Sequence, residues 1–129
     1  MLAHSEIMAF VAATDMGRAR AFYEGALGLP LKNDDGFALV FDCAGIMLRV
    51  TKVREATHAP YTILGWSVRE IRKDIDRLQR NGVVFEKFPG IGQDDLGVWT
   101  APDGTQVAWF KDPEGNLLSL TEFPRSPGP

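Results

Sequence analysis

The feature that most restricts the fold of this chain is that its halves repeat one another. GIMLRVTK, residues 45–52, lies against GNLLSLTE, residues 115–122, matching Gly45 with Gly115, Leu48 with Leu118 and Thr51 with Thr121. LGLPL (27–31) echoes NGVVF (81–85), each just after a helical pattern. Self-similarity at this scale points to a duplicated unit of several elements.

The order of elements within each half supports this. IMAFVAA (7–13) is a short apolar run that fits a strand. Thr14 and Asp15 follow it with side-chain oxygens suited to capping a helix. Ala19, Phe22, Tyr23, Ala26 and Leu27 recur at helical spacing over 16–27, and Gly28 ends that pattern. Extended segments follow around Leu31, at 37–42 and at 46–53, with Gly36 and Gly45 marking turns. In the second half, YTILGWSV (61–68) reads as a strand, and 70–81 places Ile71, Ile75 and Leu78 on one helical face before Gly82. Further extended segments are expected near Val84, around 97–100, at 105–111 and at 117–123. APDG and KDPEGN between them carry the Pro and Gly of tight turns.

At 129 residues the chain is expected to be one domain, built of module 1 (about 6–55) and module 2 (about 60–123), and PRSPGP at its end is expected to fray. With 45% hydrophobic and 24% charged residues, its composition is that of a globular protein. A net charge of −3 without a basic run gives no footprint for nucleic acid. No apolar run approaches the roughly 20 residues needed to span a bilayer, and the N-terminus lacks the pattern of a signal peptide. Cys43 has no second cysteine to pair with, which suits a reducing compartment, so a cytoplasmic location is expected. Cys43 reads as a small residue at a hairpin turn, since neither His4 nor His58 is an evident partner for a catalytic thiol.

AATDMGRARAFYEGALGLPL (12–31), WSVREIRKDIDRLQRNGVVF (66–85) and FKDPEGNLLSLTEF (110–123) together resemble the vicinal oxygen chelate superfamily of glyoxalase I, bleomycin-resistance proteins and extradiol dioxygenases. The DPEGN turn followed by an alternating strand is the most specific of these signals. The resemblance implies an α+β fold of two βαβββ modules that curl into a cup-shaped open barrel, commonly as a homodimer. It also implies four inward strand positions that hold a divalent ion in the metal-using members. Here those positions are Met8, Arg49, Ile63 and Ser119. Arg49 and Ser119 are partners in the internal repeat. A thioether, a guanidinium, a hydrocarbon and a hydroxyl are not the ligand set of a hard or borderline divalent metal, and the guanidinium stays charged. No metal and no other cofactor is therefore expected.

Strand alternation extends the inward set to Phe10, Ala12, Met47, Thr51, Gly65, Ser67, Leu117 and Thr121, leaving Leu48, Val50, Leu118 and Leu120 for the helices. A lining of this kind suits a small organic ligand with an apolar body and an anionic or carbonyl group near Arg49. Arg49 has an equally good structural reading, as an ion pair with Asp42 or another carboxylate. Trp66 has the parity of the helix side. Trp99 and Trp109 are candidates for the lining or the core, because their parity is not legible. FEKFPGIGQDDLGVW (85–99) reads as a flap or as an ordinary loop. The function expected is a metal-free small-molecule binder of sequestering or resistance type. The alternative is a glyoxalase-type lyase or isomerase, or an extradiol-type dioxygenase. No catalytic residue is assigned, although Arg49 with Glu86 or Asp42 as base is a conceivable metal-free centre.

Overall fold

Each half of the chain folds as four strands and a helix, and the alternation of its strands accounts for the core. The computed structural model describes residues 1–125, so the expectation for PRSPGP falls largely outside the described residues. The chain divides into two units: Met1–His58 with Asp112–Asn116, and the remainder.

The first unit starts with a 3₁₀ turn at Leu2–His4, followed by β1 (Met8–Ala13), α1 (Met16–Arg20), β2 (Leu31–Asp34), β3 (Ala38–Cys43) and β4 (Ile46–Lys52). Its sheet has the order β1-β4-β3-β2, with β1 parallel to β4 and the other pairs antiparallel. Asp15 caps α1 by accepting from the Arg18 N–H at 3.0 Å. The expected single helix over 16–27 is corrected: after Arg20 the chain widens into a π-helical turn, Ala21–Ala26. Side-chain spacing alone does not separate these two windings. The wide turn carries Tyr23, which is fully buried, and its hydroxyl donates to Asp112 Oδ2 at 2.7 Å. Val11, Ala13, Leu39, Phe41, Leu48 and Val50 fill this core.

The DPEGN turn is part of this unit. Asp112 Oδ1 accepts from the backbone N–H groups of Glu114 and Asn116, and Oδ2 accepts from Asn116 Nδ2 as well as Tyr23. Asn116 Nδ2 also donates to the Ala12 carbonyl at 3.0 Å. Glu114 accepts from the Thr14 N–H at 2.9 Å and from its hydroxyl at 2.7 Å. Thr14 is therefore committed to the turn, and Asp15 alone caps the helix. The His58 ring lies against Gly115, where a Cβ would sit 3.0 Å from it.

The second unit holds β5 (Leu64–Ser67), α2 (Ile71–Arg80), β6 (Trp99–Thr100), β7 (Gln106–Lys111) and β8 (Leu117–Glu122). Its sheet order β5-β8-β7-β6 reproduces that of the first, again with one parallel pair, β5 and β8. Ile71 and Ile75 on α2 pack with Val98, Ala108, Phe110, Leu118 and Leu120 in its core. Glu122 accepts from the Ile71 N–H at 2.9 Å, so a strand-end carboxylate serves the start of the helix. The segment near Val84 does not form a strand: Val84 is 73% exposed, and only Phe85 makes an isolated bridge, to Phe110. The fourth strand is instead the short β6.

Candidate functional site

In the first unit, residues paired across β1, β4 and β3 form rows on the sheet face away from α1. Phe10 pairs with Arg49 and Arg49 with Val40; Met8 pairs with Met47 and Met47 with Asp42. Met8, Phe10 and Met47 are exposed, Phe10 at 62%, so this face carries an apolar surface around one cation. Arg49 does not pair with Asp42, whose Oδ1 accepts from the Gly45 N–H in the β3–β4 turn. The carboxylate nearest Arg49 is Asp35, with Nη2 to Oδ2 at 4.0 Å. Asp35 is held below the ordinary aspartate range first by the Phe37 and Ala38 N–H groups, and less by Arg49. Its oxygens primarily serve the β2–β3 turn, and a gap of 4.0 Å leaves the guanidinium's donors available.

In the second unit the corresponding rows are Gly65–Ser119–Trp109 and Ser67–Thr121–Val107–Trp99. This settles the parity that the sequence leaves open: Trp99 and Trp109 share the face of Ser119 and Thr121. Their rings lie 6.5 Å apart. Phe88 meets Trp109 edge-on at 5.7 Å, and Trp109 Nε1 donates to Thr62 Oγ1 at 3.0 Å. The result is an aromatic patch with its central indole anchored, next to a row of hydroxyls. Trp66 lies on the helix side, stacked on Phe110. Ile63 precedes β5 and is exposed, its N–H donating to the Leu117 carbonyl at 3.0 Å.

Ser119 is 6% exposed, and its row explains Gly65. A Cβ at position 65 would stand 2.7 Å from Ser119 Oγ. Phe88 and Asp35 were not legible as members of these faces, because both lie in loops, where no alternation carries information; Thr62 was legible only as an alternative to Ile63, one residue away.

The four positions that the resemblance assigns to a metal do not fit one. The first unit offers the Met8 thioether and the Arg49 guanidinium, and the second a hydrocarbon at Ile63 and the largely covered Ser119 hydroxyl. A permanent cation repels a divalent ion, and the other groups do not supply the missing charge. Among the described residues, no three His, Cys, Asp or Glu side chains gather in a way that could hold an ion. Asp42 is engaged in its turn, and Glu86 lies 3.5 Å from Lys111 Nζ.

The long segment 85–99 is internally bonded. Gln93 Nε2 donates to the Glu86 and Gly97 carbonyls, and its Oε1 accepts from the Phe88 N–H. Asp94 accepts from the Leu96 and Val98 N–H groups and from Arg72 at 2.7 Å. Burial works to raise the Asp94 pKa, but these donors outweigh it and hold it low. Such bonding favours an ordinary ordered loop over a flap, and it fixes Phe88 beside Trp109.

Residues 3–120 match the sequence profile of the Glyoxalase/Bleomycin resistance protein/Dioxygenase superfamily. No curated protein sequence matches the chain at a significant level. Solved structures share the fold at low identity. A glyoxalase/bleomycin resistance protein from Catenulispora acidiphila is 22% identical, with a TM-score of 0.70 over 92% of this chain and 98% of that one. A genomically encoded fosfomycin resistance protein from Listeria monocytogenes is 12% identical, with a TM-score of 0.72 over 92% of each chain. A lactoylglutathione lyase from Agrobacterium tumefaciens is 18% identical, with a TM-score of 0.63 over 92% of this chain and 93% of that one.

Proposed function

Because the chain belongs to the Glyoxalase/Bleomycin resistance protein/Dioxygenase superfamily, and fold membership leaves function to the site, we propose that it is a metal-independent small-molecule-binding protein of sequestering or resistance type. The observation that carries this reading is Arg49. It stands where the family resemblance assigns a metal ligand, flanked by Phe10, with its closest carboxylate 4.0 Å away. A guanidinium there favours an anionic or carbonyl group of a ligand and disfavours a metal ion.

The ligand-contact residues in this reading are, in the first unit, Met8, Phe10, Met47 and Arg49 and, in the second unit taken by itself, Ile63, Trp99, Trp109, Ser119 and Thr121. Aromatic and thioether groups supply contact area, and the hydroxyls and Arg49 supply orientation. The exposed Met8, Phe10 and Met47 also support a homodimer, since a surface of this kind is commonly covered by a partner. No helix among the described residues is long and apolar enough to cross a membrane. The sequence holds a single cysteine, so no disulfide can form within it, which supports a cytoplasmic location.

Tryptophan fluorescence titrations with small aromatic anions, run with and without a chelator, test the proposal. Saturable quenching that is insensitive to the chelator and weakened in Arg49→Met is expected. A tightly held stoichiometric ion that accelerates turnover of a methylglyoxal–glutathione adduct or of a catechol would replace this reading with the lyase or dioxygenase alternative. Light scattering after size exclusion checks the dimer.

A further inference from the structure

Parallel pairing makes β5 and β8 leave their sheet at the same edge. Ser67 lies opposite Thr121, and the Val68 N–H donates to the Thr121 carbonyl at 2.8 Å. The residues that follow both strands are thereby brought side by side around a hollow of about 460 Å³ lined by Ser67, Val68, Arg69, Phe123 and Arg125. That volume lies within the range of small-molecule sites.

The charges around it are unbalanced. Neither Arg69 nor Arg125 forms an ion pair among the described residues, and the neighbouring carboxylates have other partners. Glu70 binds Lys73 at 3.1 Å, and Glu122 accepts from the Ile71 N–H. Two guanidinium groups on one hollow repel each other unless an anion lies between them. Phe123, 61% exposed at the rim, offers an apolar face that gains contact only when something flat covers it.

The internal repeat gives an independent comparison. At the matching edge of the first unit, where β1 and β4 end, a hollow of about 540 Å³ is lined by Thr14, Gly36, Phe37, Lys52, Val53 and Arg54. Two cations and an exposed aromatic ring line it as well, at positions that the repeat does not align with Arg69, Phe123 and Arg125, and the Thr14 hydroxyl is taken by Glu114. Of these two hollows, the second unit's is the one lined by two arginines, whose planar forks match carboxylate or phosphate oxygens in pairs.

We propose that the hollow at the common end of β5 and β8 is a binding site for a small oxyanion, a carboxylate or phosphate, carried on a flat apolar group. Arg69 and Arg125 clamp the oxyanion, Ser67 donates its hydroxyl to it, and Phe123 covers the apolar part. None of these residues is among the ligand contacts assigned to Arg49's face.

The test is calorimetric titration of the full chain with phenyl phosphate, benzoate, inorganic phosphate and neutral benzyl alcohol, with amide spectra recorded alongside. In the Arg49→Met chain, where the face of Arg49 is disabled, phenyl phosphate and benzoate are expected to saturate one site, to shift the Ser67 and Val68 amides and to weaken with added salt. Benzyl alcohol should not bind. Arg69→Gln and Arg125→Gln should each weaken binding by roughly tenfold, the scale of a lost charge-assisted hydrogen bond. Phe123→Ala should erase the advantage of phenyl phosphate over inorganic phosphate, and Arg49→Met should leave the ligand-induced shifts of the Ser67 and Val68 amides unchanged. The assignment is overturned if the wild-type chain shows no saturable binding or if both arginine variants bind as the wild type does. It is also overturned if binding is lost in Lys52→Gln or Arg54→Gln instead.

Discussion

At position 65 the side chain is absent because its place is taken by the hydroxyl of Ser119, 2.7 Å from where a Cβ would be. Gly65→Ala is therefore expected to cost about 1–3 kcal/mol, the usual range for an overpacked site. Adding Ser119→Ala should recover part of that loss but not all, because the Ser119 carbonyl oxygen is also close, at 3.3 Å. Urea denaturation of the two single variants and the double variant measures this coupling. The other decisive single residue is Tyr23. Burial raises its pKa, and the charge and hydrogen bond of Asp112 raise it further. A phenol whose folded pKa is raised contributes stability that is intact below the unfolded value of 10.0 and is lost as pH climbs above it. Tyr23→Phe should lose about 1.5–3 kcal/mol at neutral pH, typical of a hydrogen bond to a charged group. Its melting temperature should also be less sensitive to pH above 10.0 than that of the wild type.

Turns are the elements in which the sequence states its geometry most directly, and one of them is suboptimal. Cys43 pairs with Ile46 across a two-residue connection in which Ala44 and Gly45 have φ of 50° and 89°. Positive φ at both central residues is the mark of the hairpin turn that follows strand twist, and alanine is poorly suited to it. Ala44→Gly or Ala44→Asn should stabilise the chain by about 0.4–1 kcal/mol in thermal or urea unfolding. The turn starting at Asp112 titrates as well as positions. Glu114 is held below its usual range by the Thr14 N–H first and then the Thr14 hydroxyl, against a smaller effect of burial. Its contribution is present above the unfolded value of 4.5 and disappears as pH falls through the lower folded one. Glu114→Gln should accordingly flatten the acid side of the stability–pH curve, measured as melting temperature between about pH 5 and 2.

At the level of the whole molecule, the order of elements was legible because duplication wrote it twice. Strand alternation likewise assigned Leu48, Val50, Leu118 and Leu120 to the core side, where all four are buried. What could not be read depends on partners distant in sequence. The parity of Trp99 and Trp109 follows from their register against β7 and β8. The π-helical turn shares its apolar spacing with an ordinary helix, and the loss of a strand at Val84 shows only once Phe110 has its partners. For the candidate site, Arg49 was legible as an obstacle to a metal. Its nearest carboxylate, Asp35, was not, because a loop residue has no face until the loop is built. The hollow beyond β5 and β8 was equally hidden, since its two arginines come from segments that only parallel pairing brings together.

The membership of Asp112–Asn116 in the first unit has a consequence in time. During synthesis the chain emerges N-terminus first, and residues 1–58 are complete long before Asp112 exists. Until then the Tyr23 hydroxyl, the Thr14 hydroxyl and the Ala12 carbonyl lack the partners they hold in the finished molecule. At ordinary elongation rates the wait lasts seconds, long compared with the folding of a small unit. A nascent chain stalled before Asp112 should be sensitive to protease in its first half, and one stalled after Asn116 has emerged should be resistant. The last turn of the sequence thus acts as the clock for the first half's completion.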